Sequence, residues 1–286
     1  MKQLVPTFLH IPKNAGTYVL HVNHFFNHQY QSRGTQSFDL LAIKRCLIKL
    51  NTGGQITAFI FDKNLHCNTT NNFELISNLD PSAYTSNLTD FIRLLLNKQI
   101  ELFSLHIDPV QLGIKQDFIE IENVLKLIEC KPLYYTLVRD PLKRAYSIFH
   151  YLNNNESSHE PTHGNIVAQN FNDYLLSNQV EDSWIIRHLL SLQDETELDE
   201  SHFQEAAQIF SSFIVSDIKN VNQVLIDVFK KCYNLNYSLS DFETFNLPRN
   251  STNYRKSLDT QTVLPHCLSV FKSRTEFDYQ FYKLFA

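Results

Sequence analysis

Glycine is scarce in this chain. Six occur among 286 residues, so each one at a plausible turn marks a place where the backbone needs close approach or unusual freedom. Paired cysteines are missing: Cys46, Cys67, Cys130, Cys232 and Cys267 are scattered, with no Cys-x-x-Cys. An odd, dispersed set argues against a disulfide framework and reads as reduced thiols. No basic excess exists either, because 25 Lys and Arg against 30 Asp and Glu leave a formal charge of −5. A dedicated nucleic-acid binder normally carries the opposite balance. No apolar run reaches the length of a membrane span, and no charged head precedes an apolar run at the start. The expected compartment is therefore the cytoplasm, with neither nucleic acid nor membrane as partner. Internal repeats and low-complexity tracts are also lacking.

What is present is ample material for a core: 43% hydrophobic and 13% aromatic residues, enough for one large α/β domain. Residues 3 to 11 form an apolar run that predicts a buried strand, and 15 to about 29 predict a helix. Further strands are expected at Ile56–Phe61, Glu101–Ile107 and Leu133–Val138. Helices are expected at 87 to 97, at Ile119–Glu129 and from Pro141 to about Tyr151, the last with Asp140 as N-cap and proline first. Strands alternating with helices imply a parallel sheet covered on both faces. After residue 152 a polar loop, NNNESSHEPTHGN, leads into a mainly helical remainder. The expected organisation is one domain over 1–286, with an α/β nucleotide-binding core at 1–152 and a helical acceptor and cover region at 153–286.

Two strand-to-helix corners carry the chemistry. In FLHIPKNAGTYVLHV (8 to 22) the backbone turns from the first strand into a helix whose leading N–H groups lack partners within the helix. Gly16 allows an anion close to the backbone, Lys13 brings a full charge and Thr17 a hydroxyl. The lysine precedes the glycine, so this is not the G-x-x-x-x-G-K-[ST] loop of nucleotide triphosphatases. Taken alone, the corner reads equally as a glycine-assisted turn with Lys13 in water. In YTLVRDPLKRAYS (135 to 147), Arg139 stands at a strand's carboxyl end, where open α/β sheets place ligands. Ser147 follows two helical turns later, and Arg with Ser suits a terminal phosphate. Taken alone, Arg139 could equally pair with a neighbouring acid. Together the corners fit a nucleotide with phosphate at both ends of its ribose.

FLHIPKNAGT resembles the 5′-phosphosulfate motif of the sulfotransferases related to the carbohydrate 2-O-sulfotransferases. YTLVRDPLKRAYS is similar to their 3′-phosphate motif, with Arg and Ser at the same separation. LFSLHIDPVQLG (102 to 113) resembles the family's histidine-bearing strand, FNLPRNSTNYRKS (245 to 257) its late nucleotide-covering loop, and EFDYQFYKLFA its last helix. The resemblance implies a P-loop-like fold, a central parallel sheet flanked by helices with a mainly helical C-terminal half. It implies transfer of a sulfuryl group from 3′-phosphoadenosine 5′-phosphosulfate (PAPS) to a hydroxyl or amine of a carbohydrate or small metabolite. Lys13, Asn14, Ala15, Gly16, Thr17 and Tyr18 would hold the 5′-phosphosulfate, Arg139 and Ser147 the 3′-phosphate, and Asn250, Thr252 and Arg255 would close over the nucleotide. Lys13 would neutralise the departing oxygen, and no metal is expected.

The acceptor must lose a proton. His106 is the expected base, on the same sheet edge as both corners, although Leu105 and Ile107-Asp108-Pro109 depart from the family pattern around it. Glu101, Asp62 and His150 are the alternatives. His21, His24 and His28 share a helical face without a metalloprotease arrangement and are read as polar helix residues. A nucleotide or small-molecule kinase with a degenerate loop, and a nucleotide-binding module without turnover, remain as competing readings.

Overall fold

The computed structural model describes residues 3–16, 18, 19, 22, 45–50, 55–61, 102–107, 114–154, 168–180, 182–193, 195–234, 236–244 and 263–286. Six strands form a single sheet: β1 (Gln3–Leu9), β2 (Arg45–Lys49), β3 (Gln55–Phe61), β4 (Leu102–Ile107), β5 (Cys130–Val138) and β6 (Ile214–Asp217), in the order β2-β3-β4-β1-β5-β6. The four strands β4, β1, β5 and β6 run parallel. The expected parallel core is there, and β1 lies at its centre between β4 and β5.

The sheet is not parallel throughout. β3 runs antiparallel to β4, and β2 antiparallel to β3. For the β2–β3 pair the cause is local: Lys49 faces Gln55, so a short return joins them. An antiparallel pair needs only such a link, whereas a parallel pair requires a crossover of roughly a dozen residues. Gly53 and Gly54 fall in that link. Among the described residues the C-terminal half is mainly helical, as expected, and it also supplies β6 beside β5.

Both faces of the parallel core are covered, as alternation along each strand demands. Val5 and Leu9 of β1 point into one core, with Phe118, Ile121 and Leu125 from α1 (Ile114–Leu127). That core also takes in α4 (Trp184–Leu190), α5 (Glu200–Phe210) and Phe281 of α9 (Glu276–Phe285). Phe8, Tyr135 and Leu137 point to the other face, against Tyr18, Val19 and Val22 of the helical stretch after β1 and against α6 (Val221–Tyr233). A third cluster joins α2 (Pro141–Asn154) to α3 (Phe171–Leu176) and α8 (Pro265–Arg274). A short α7 (Leu239–Thr244) follows α6. The helix expected at 87 to 97 lies outside the described residues. Among the described residues no helix is long and apolar enough to cross a membrane.

The C-terminal helix is tied to the sheet edge by Tyr282, whose hydroxyl donates to the buried Asp217 carboxylate at the end of β6. That bond is the main reason the phenol is pushed up from an ordinary 10 to about 12. A folded-state value above the unfolded one means stability present below about pH 10 and lost as pH rises through about 12. Tyr282→Phe should cost about 1.5–3 kcal/mol at neutral pH, because a hydrogen bond to a buried charge is removed. Urea unfolding measures it. The variant should also lose less stability than the parent between those two pH values; equal alkaline slopes would place the titration elsewhere.

Candidate functional site

The segment after β1 is shaped by two residues that rarely adopt its conformation. Lys13 and Ala15 both have left-handed backbones, at φ 65° and 62°, while Asn14 between them does not. Left-handed residues in alternation are the backbone pattern from which the anion-binding concavities of phosphate loops are built. Left-handed non-glycine residues cost about 1–3 kcal/mol each and persist where surroundings impose them. Here the surroundings are visible. Asn14 N–H donates to Ile11 carbonyl at 3.1 Å, its side-chain Nδ2 donates to Leu137 carbonyl at 3.0 Å, and Val19 N–H closes the helix on Ala15 carbonyl at 3.0 Å.

The second corner is bound directly to the first. Arg139 follows β5, and its Nη1 donates to the Lys13 carbonyl at 3.2 Å. Arg144, one turn into α2, donates from Nε to the Pro12 carbonyl at 3.3 Å, with its guanidinium 4.8 Å from the centre of the Trp184 ring. These bonds exist because β1 and β5 are parallel neighbours with Leu9 opposite Thr136, so their carboxyl ends open side by side. Asp140 caps α2 as the sequence predicts: its Oδ1 accepts from Lys143 N–H at 3.0 Å, and Pro141 is the first helical residue. The Lys13 ammonium lies 3.0 Å from the centre of the Tyr151 ring, on the last turn of that same helix. Desolvated contacts of this kind contribute about 0.5–2 kcal/mol.

Asn14 is 1% exposed, and its Oδ1 has no hydrogen-bond partner among the described residues. Leaving a buried acceptor unmet costs about 1–3 kcal/mol, a deficit that a ligand's donor removes. Ser147 is 6% exposed, on the buried side of α2. Tyr18 packs in the core, and its hydroxyl donates to Asn222 Oδ1 on α6 at 2.7 Å.

His106, next to last in β4, lies opposite Phe8 of β1, and it is 3% exposed. Its Nε2 is 3.2 Å from Nδ1 of His10, a residue the sequence reading passed over. Phe8 and His10 are two apart on one strand face, so His10 meets His106 diagonally across the β1–β4 pair, the rings 5.0 Å apart. The signal was available: His10 lies at a strand's carboxyl end three residues before Lys13, at the edge where ligands bind. Its ring also explains Gly16. A Cβ on Gly16 would come within 1.9 Å of His10 Nε2, so the imidazole occupies the space any other side chain would need.

His150, one alternative base, is on α2 with its ring 4.2 Å from Tyr146, and burial pushes its pKa down. Arg144 had not been singled out from sequence; an arginine in an amphipathic helix carries no local sign of its carbonyl partner. Thr17, Asp62, Glu101, Asn250, Thr252 and Arg255 lie outside the described residues, as do His21, His24 and His28. The described part of the site thus brings Lys13, Asn14, Gly16, Arg139 and the two histidines to one edge of the sheet. Comparisons with protein families, with curated proteins and with solved structures return no match for this chain.

Proposed function

We propose that this chain is a sulfotransferase of P-loop-like architecture. It moves a sulfuryl group from PAPS to a hydroxyl or amine of a carbohydrate or small metabolite. The observation that carries the reading is the pair of corners stitched together by Arg139 and Lys13, Arg144 and Pro12, and Asn14 and Leu137. Two cation-bearing corners held that way suit one ligand with an anion at each end, and a guanidinium is the side chain best matched to a terminal phosphate.

In this reading the loop from Lys13 to Gly16 receives the 5′-phosphosulfate together with Thr17 and Tyr18. Arg139 and Ser147 receive the 3′-phosphate, and Asn250, Thr252 and Arg255 belong to the covering loop. The unmet Asn14 Oδ1 would take a ligand N–H or O–H. The leaving phosphate is stable once Lys13 neutralises it, so the transfer calls for no metal ion.

Calorimetric titration with adenosine 3′,5′-bisphosphate and with ATP tests the nucleotide. The bisphosphate should bind at least about tenfold more tightly, a difference of about 1.4 kcal/mol. ATP preferred over the bisphosphate would turn the reading toward a kinase. Arg139→Ala should weaken bisphosphate binding by about 10- to 100-fold, as expected for losing a hydrogen bond to a charged group. Discharge of radiolabelled PAPS over a panel of sugars and amines tests turnover. Tight binding without discharge would make the protein a nucleotide-binding module.

A further inference from the structure

We infer that His10, rather than His106, is the group that removes the acceptor's proton, and that His106 is the positioning residue behind it. The inference rests on the sulfotransferase reading and deepens it. His106 is 3% exposed and its Nε2 is engaged by His10. An acceptor hydroxyl cannot reach a ring so enclosed without displacing its neighbours. His10 is only partly buried, stands past the end of β1, and has its backbone N–H fixed to Ile107 carbonyl at 2.9 Å.

The two nitrogens of His10 have different surroundings. Nδ1 faces His106 Nε2 at 3.2 Å, and Nε2 is pressed against Gly16, the residue that opens the helix after the anion loop. Which ring nitrogen carries the proton is set by the partner of the other. When His106 Nε2 accepts from His10 Nδ1–H, the lone pair of His10 Nε2 is directed at the loop, where the sulfuryl group would lie. That division of labour is familiar in hydrolytic triads, in which a third residue holds the base in the right tautomer. Phe8 supports both rings, with its centroid 6.0 Å from His10 and 5.2 Å from His106. Among the described residues, Tyr135 packs on Phe8 from β5 and is a further titratable group beside the pair.

The step balances with these groups alone. The acceptor oxygen forms a bond to sulfur while the bond from sulfur to the bridging oxygen breaks. The electron pair of that bond stays on the 5′-phosphate beside Lys13. The acceptor's proton passes to His10 Nε2, which becomes an imidazolium hydrogen-bonded through Nδ1 to His106. Release of that proton to water restores the site.

Two measurements decide the assignment. In the wild-type protein labelled with ¹⁵N-histidine, long-range proton–nitrogen spectra at neutral pH should show His10 protonated at Nδ1 and bare at Nε2. His106→Gln should change that signature. A wild-type His10 protonated at Nε2 overturns the assignment. In the second measurement, His10→Gln should slow PAPS discharge to water by about 100-fold or more, the usual contribution of a general base. Its bisphosphate affinity should change less than about threefold, which excludes misfolding as the cause. His106→Gln should slow discharge only about tenfold, the scale of losing an outer partner. Full activity in His10→Gln with none in His106→Gln would return the role to His106. If wild-type protein binds no bisphosphate, the sulfotransferase reading falls, and the tautomer measurement still decides whether the histidine pair is ordered as described.

Discussion

Lys13→Ala should reduce the proposed sulfuryl transfer by about 10³-fold, the scale of removing a charge aimed at a developing oxyanion. Bisphosphate binding should fall by less than about tenfold, since uniform ground-state binding and transition-state stabilisation are separate quantities. The local structure predicts that separation. The Lys13 backbone is held in place by its carbonyl's bond to Arg139 and by the turn from Ile11 to Asn14. Alanine already adopts the same left-handed conformation two residues later, at Ala15. Truncation therefore removes the ammonium and its contact with Tyr151 while leaving the loop that carries the N–H groups. A cation resting on an aromatic face is also less hydrated than one in water, so less solvent is shed when it moves to the leaving oxygen. Single-turnover rates and calorimetry on one preparation read both effects. Equal losses in rate and affinity would mean that Lys13 only helps hold the nucleotide.

Gly16→Ala should be nearly as damaging, by a different route. The new methyl would sit 1.9 Å from His10 Nε2 and 2.1 Å from its Cδ2. The ring must leave, which breaks its contact with His106 and its stacking on Phe8. Overfilling a packed site costs about 1–3 kcal/mol. With the inferred base displaced, the proposed transfer should fall by about 100-fold or more. A double-mutant cycle identifies the cause: His10→Ala should cost much less in the Gly16→Ala background, with a coupling of about 0.5–3 kcal/mol. Simple additivity in urea unfolding would show that the glycine is needed for the loop backbone and that the imidazole has no part in it.

Local rules reached far into this fold. β1, β3, β4 and β5 fall on the four apolar runs, within a few residues at each end. The helix after Asp140-Pro141 begins at its proline because a carboxylate cap and a fixed φ act on the residues that carry them. Lys13, Gly16 and Arg139 were legible as an edge constellation because strand ends and glycine placement are properties of short sequence stretches. β6 was not legible: four residues, Ile214–Asp217, flanked by helices give periodicity too little length to register.

The amino-acid sequence by itself determined β1, β3, β4, β5 and the helix after Asp140, the two corners, and the parallel direction of β1, β4 and β5. It also fixed what the chain lacks: a basic surplus, paired thiols and a membrane-length apolar run. Tertiary structure alone decided that β3 runs against both of its neighbours, β2 and β4, that Arg139 and Arg144 grip the carbonyls of the first corner, and that Lys13 rests on Tyr151. It alone placed His10 against His106 across 96 residues and Arg139 against Lys13 across 126. The physical reason is one of range. Periodicity, caps and turns are set by neighbours within a few bonds, whereas contacts at those separations follow from which strands lie side by side, and strand order is fixed only when the apolar faces are buried together.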